Sequence, residues 1–172
     1  EYTFVNIASF VTGDTGATGS DDHTVSVDVP CDGCTLTQGY WKTHSAYGPA
    51  RWPDDTWLLI LPDGPDTDFY LSGNTYLGIM RTPPAGNAYY NLATQYIAAQ
   101  LNVLSGASAT AEVDAALASA NALFQQYTPA QVAALKGNNA IRKEFISLAS
   151  LLDQYNNGLI GPGHCDEDSS SG

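Results

Sequence analysis

All three cysteines and two of the three histidines of this 172-residue chain fall in two short segments, CDGCTLTQGYWKTH (31–44) and YNNGLIGPGHC (155–165). Groups able to cross-link or to bind a soft metal therefore stand at both ends of one block of about 130 residues. A bond between those ends, of either kind, makes the intervening chain return on itself. The length allows one complete core with a short appendage rather than two ordinary domains.

Charge narrows the function classes. Six basic against eighteen acidic residues give a net charge of -12, which opposes nucleic acid and anionic membrane and favours divalent cations or basic partners. Nucleic-acid binding is excluded on that ground. No run approaches the eighteen or so apolar residues of a membrane span. The amino terminus has neither a basic n-region nor an apolar h-region, and Glu1 reads as a processed start. Few Lys, one Met, much Gly, Thr, Ser and Asp, and a CxxC outside any thioredoxin-like pattern read as a secreted, extracellular or cell-surface protein.

Residues 1–30 differ in texture from the rest. TFVNI places Phe4 with Asn6, and Val5 with Ile7, on alternate faces, while TVSVDV puts Val25, Val27 and Val29 on one face. These are two strands, joined by the exposed loop GDTGATGSDD. A lone two-stranded ribbon is marginal in water. Phe4, Val5, Ile7, Val25, Val27 and Val29 therefore either pack on their own domain or complete a neighbouring subunit by strand addition.

From Thr35 to Pro84 the chain is irregular, with Tyr40, Trp41, Tyr47, Trp52 and Trp57 as pegs for a core beneath a long loop. TWLLIL and TYLGIM are apolar runs that strand and short helix explain equally well. Helical spacing then takes over. Leu92, Tyr96 and Ala99 mark one stripe beside Ala93, Ile97, Leu101 and Leu104, in a helix closed by Gly106. Thr110 caps a second, with Val113, Leu117, Ala120 and Phe124 on one face; Thr128, Pro129 and Gln131 open a third that ends at Gly137. A fourth runs from about Asn139 to Asn156 with Ile141, Phe145, Leu148, Leu152 and Tyr155 buried. The fold expected is α+β: mainly an antiparallel helical bundle with an aromatic-rich irregular segment and an N-terminal two-stranded β arm. Its boundaries are the arm over 1–30, the cysteine-clasped helical domain over 31–165 and an acidic Ser/Gly tail over 166–172.

Three ordered motifs, CTLTQGYWKTH, TPPAGNAYYNLATQYIAAQLN and YNNGLIGPGHC, resemble a widespread family of secreted bacterial proteins of uncharacterised activity, over about residues 34 to 165. The resemblance implies an exported module, found alone or within surface-protein architectures, and brings no catalytic residue with it. The N-terminal ribbon lies outside it.

Two chemistries suit the cysteines. A Cys34–Cys165 disulfide would leave Cys31 over, free, exchanging with Cys34 or bonded to another chain; alternatively Cys31, Cys34, Cys165 and His164 or His44 form a Cys3His set for zinc or copper. Calcium is a further candidate cofactor, with Asp63, Asp66 and Asp68 in PDGPDTD the best oxygen cluster, although no EF-hand loop is present. Lys42, Thr43, His44 and Ser45 adjoin without making a nucleophile and base pair, and no hydrolase, zincin, Walker or dinucleotide signature occurs. The sequence thus points to a non-enzymatic, structural subunit of an extracellular bacterial filament or pilus-like fibre, with identical subunits as partners and strand addition by the arm as the joint. The alternatives are a monomeric calcium- or glycan-binding surface module and a metalloenzyme at the Cys and His cluster.

Overall fold

In a computed structural model of the protein, residues 2–27 and 33–166 are described. Val29 and Cys31 lie outside them. The chain divides into two compact units, Glu1–Cys31 and Asp32–Gly172.

The first unit holds β1 (Tyr2–Val11) and β2 (Thr18–Val27), paired antiparallel with Tyr2 opposite Val27 and Val11 opposite Thr18. The joining turn is shorter than the sequence suggests. It spans only 12–17, and Asp21 and Asp22 belong to β2. An antiparallel ladder gains backbone hydrogen bonds at each bonded pair whether or not the side chains are apolar, so it extends into Thr, Ser and Asp positions that alternation alone leaves unassigned. The Thr12 N–H donates to the Ala17 carbonyl at 2.9 Å. Thr12 and Ala17 continue the same register, so even-numbered β1 residues turn their backbone groups toward β2, and odd-numbered ones turn theirs outward.

The second unit is mostly helical: α1 (Gln38–Thr43), α2 (Tyr76–Arg81), α3 (Ala88–Leu104), α4 (Ala111–Gln126), α5 (Pro129–Ala133) and α6 (Ala140–Asn156). Side-chain caps start each one. Asn87 accepts from the Tyr89 N–H, Thr110 from Val113 and Asn139 from Ile141, while Thr128 and Gln131 complete a capping box. TYLGIM becomes α2 because Thr75 caps it, and TWLLIL forms a 3-10 turn over Asp55–Leu59 capped by Asp54. That turn buries Trp57 and Ile60 and leaves Leu58, Leu59 and Leu61 exposed. Helix α5 stops at Ala133, short of Gly137.

Helix α3 is the axis on which α1, α2, α4, α5 and α6 pack. Tyr89 stacks near Phe145 at one end, and Asn102 bonds Asn156 at the other, so α3 and α6 run the same way, a departure from the antiparallel bundle expected, because α4 and α5 lie between them in the chain and return it to the starting end. Helix α4 runs opposite: Phe124 at its end meets Tyr89 and Phe145, and Ser108 just before its start receives the Tyr155 hydroxyl. Phe69 and Phe124 centre an aromatic cluster with Tyr70, Tyr89 and Tyr96, mostly edge to face, the geometry that ring quadrupoles favour. Among the described residues no helix is long and apolar enough to cross a membrane.

Candidate functional site

Both ends of the clasp meet. Cys34 and Cys165 form a disulfide with a Cα–Cα distance of 5.0 Å, and backbone pairing continues it: the Thr35 N–H donates to the Gly163 carbonyl at 2.8 Å and the Cys165 N–H to the Thr35 carbonyl at 2.9 Å. The return of the chain after α6 depends on Gly158, which adopts φ +67° and packs so closely on the backbone of Gly163 and His164 that a Cβ has no room.

A buried relay beneath the disulfide joins all three motif segments. Asn102, wholly buried on α3, accepts at Oδ1 from the Leu36 N–H at 2.8 Å and from the Trp41 indole N–H at 3.0 Å. Its amide donates to the Leu36 carbonyl at 2.9 Å and to Asn156 Oδ1 at 3.0 Å. Asn156 in turn donates to the Gln95 carbonyl and Oε1 at 2.9 and 2.8 Å, and the Gln95 amide donates to Asp153 at 2.9 Å. Trp57 extends the chain by donating its indole N–H to the Trp41 carbonyl at 3.0 Å. The sequence reading missed Asn102 and Asn156 altogether. The signal was available, since each sits on the buried stripe of its helix, Asn102 after Ala98 and Ala99, and Asn156 after Leu152, where a polar residue needs buried partners.

The other candidate residues fare differently. With the Cys34 and Cys165 sulfurs bonded to each other, neither is the thiolate that a metal requires, so the Cys3His set does not form. His164 lies at the isolated bridge with Thr35, and Cys31 is outside the described residues. His44 caps α1: its Nδ1 is 2.9 Å from the Tyr40 carbonyl, and its ring stacks on Tyr40 at 3.9 Å. Asp63, Asp66 and Asp68 are all exposed and do not converge. Asp66 accepts from the Tyr47 hydroxyl, while Asp68 bridges Thr75 through the backbone. Among the described residues no three His, Cys, Asp or Glu side chains gather at a metal position. Of the aromatic pegs, Tyr40, Trp41 and Trp57 are buried; Tyr47 and Trp52 are not, and Trp52, 68% exposed, carries the Arg51 guanidinium over its ring at 5.2 Å. Trp41 and Trp57 thus belong to the core, whereas Tyr47 and Trp52 present their rings to solvent.

In the ribbon register Phe4 lies opposite Val25, Tyr2 opposite Val27, Val5 opposite Thr24 and Ile7 opposite Asp22, and Ile7 is exposed.

Comparison with family models, curated proteins and solved structures returned no match. Function therefore rests on the geometry of the chain itself.

Proposed function

We propose that the protein is a non-catalytic structural subunit of an extracellular filament, joined to identical copies through its residue 2–27 ribbon. The observation that carries this reading is the edge of β1. YTFVNIASFV runs ten residues without a charge, Pro or Gly, and its odd-numbered backbone groups face outward along a sheet of only two strands. Native proteins blunt such edges because they template pairing with another chain. The β2 sequence includes Asp21, Asp22 and His23, residue types that discourage edge pairing, and the β1 sequence includes none of that kind.

The helical unit has no sheet among its described residues, only isolated bridges, so the acceptor of an added strand is another ribbon. Pairing β1 with β1 closes a two-fold dimer, whereas β1 against β2 of the next copy repeats head to tail and extends. A fibre requires the second. An internal disulfide fits the oxidising setting of an extracellular polymer. The exposed apolar set Leu59, Leu61, Val103 and Leu104, which lines a cleft of about 370 Å³, offers further surface for subunit packing.

Ile7→Pro tests the joint. It removes an outward N–H, so the ribbon ladder survives while edge pairing is interrupted. Light scattering and electron microscopy are expected to show polymers for the unaltered protein, favoured by salt that screens the charge of -12, and small species for the variant. A monomeric unaltered protein at every salt concentration sinks the proposal.

A further inference from the structure

We propose that the cleft between α1, α2 and α3 binds a carboxylate-bearing sugar of the uronic-acid class. This reading is independent of the filament proposal. The cleft encloses about 530 Å³, within the range of small-molecule sites. Two of the six basic side chains in the protein, Lys42 at the end of α1 and Arg81 at the end of α2, stand on its walls. In a chain of net charge -12 that is a local reversal of sign, and the distant acids are screened beyond about 8 Å at physiological ionic strength.

Neither cation is spent on a carboxylate among the described residues. Arg81 donates one Nη2 N–H to the Tyr47 carbonyl at 2.6 Å, which fixes the guanidinium and leaves its other donors for a ligand. Lys42 has no bond to lose among the described residues. The opposite wall, from α3, is neutral and polar: Asn91, Thr94 and Gln95. A second pocket shares Asn91 and Gln95 with the cleft and is lined by Ser150 and Asp153; Asp153 Oδ1 already accepts from the Gln95 and Asn157 amides, so its Oδ2 is the oxygen left for a hydroxyl donor, and its charge repels an anion. Gln38, on the α1 wall, has its Oε1 buried without a hydrogen-bond partner, so its amide can turn onto a ligand without giving up a bond. Cations at one end, with amides, a hydroxyl and a carboxylate at the other, match a molecule with one carboxylate and several hydroxyls. A bare anion uses only the first half of the site, and a neutral sugar only the second.

A trimer of galacturonic acid, titrated into the full chain and followed by calorimetry and amide chemical-shift mapping, is the test. The trimer is expected to shift amides of α1, α2 and α3. Lys42→Gln and Arg81→Gln, both at exposed positions, are each expected to weaken it by about ten-fold or more, as loss of a charge-assisted bond does. Lys136→Gln, the same charge change outside the cleft, leaves binding unaltered, and neutral maltotriose does not bind. The proposal is overturned by an unperturbed spectrum, by equal weakening in all three variants, by competition from sulfate at matched concentration, or by a triaspartate peptide binding as tightly. Mapping on the unmodified protein decides the matter even where one variant fails to fold.

Discussion

Asn102 concentrates more of the fold in one side chain than any other residue in the helical unit. All four of its hydrogen-bonding positions are filled, two by Leu36 backbone groups, one by Trp41 and one by Asn156. Asn102→Leu keeps the volume but strands a buried N–H, a carbonyl, an indole N–H and a side-chain amide. The expected cost is about 3 to 5 kcal/mol by urea denaturation, with Trp emission altered because Trp41 loses its partner. Tyr89 is the opposite case. Its ring is fully buried beside Phe124 and Phe145, yet its hydroxyl finds no partner among the described residues. Tyr89→Phe removes that unmet desolvation, so stability should rise by about 1 kcal/mol; a loss would show that the hydroxyl is bonded after all. The sequence made the apolar stripes legible and these polar positions opaque, because Asn and Tyr also serve as caps and surface residues, and only their neighbours in space reveal which role is played.

At the scale of elements, legibility followed the source of the local signal. Helices α4 and α5 begin at the Thr caps read from the sequence and α6 at the Asn139 start read there, since a cap is a contact between residues two or three apart; the Asn87 cap of α3 was not read. The segment 53–75 was not legible: its 3-10 turns are set by packing, and Phe69, at the heart of the aromatic cluster, lies in no periodic pattern. The clasp falls between these cases. Its meeting point was readable from cysteine placement, whereas the choice of disulfide over metal was not, because the same sulfur atoms serve either. A Cys34→Ser/Cys165→Ser double variant isolates what the covalent bond adds. Thr35 still pairs with Gly163 and Cys165's backbone, and the Asn102 relay remains, so the variant is expected to fold. Freeing a loop with a sequence separation of 131 residues should lower stability by about 4 to 5 kcal/mol and raise the urea m-value, since the unfolded chain expands. An unchanged m-value with unchanged stability would assign the clasp to its hydrogen bonds alone.

At the scale of the whole chain a net charge of -12 stands against a tyrosine-rich core in the helical unit, and the two respond to alkali differently. Burial raises the pKa of Tyr70, Tyr76 and Tyr89 well above the ordinary value, and it pushes Tyr96 and Tyr155 up to about 12, the latter helped by the charge of Asp114. A tyrosine with a raised folded pKa keeps its proton where the unfolded chain releases it. The folded state therefore binds more protons between pH 10 and about 12, and stability falls as pH rises through that window while being fully present below it. Lysine deprotonation makes the net charge still more negative over the same range, and that repulsion is relieved by salt, whereas the cost of burying a phenolate is not. Titration of tyrosinate absorbance should accordingly show exposed rings ionising first and buried ones only together with loss of the near-ultraviolet circular dichroism. Added salt is expected to move the transition slightly without abolishing it. A single smooth titration near pH 10 with the dichroism intact would mean that water reaches these hydroxyls, and that the aromatic core is looser than its edge-to-face packing requires.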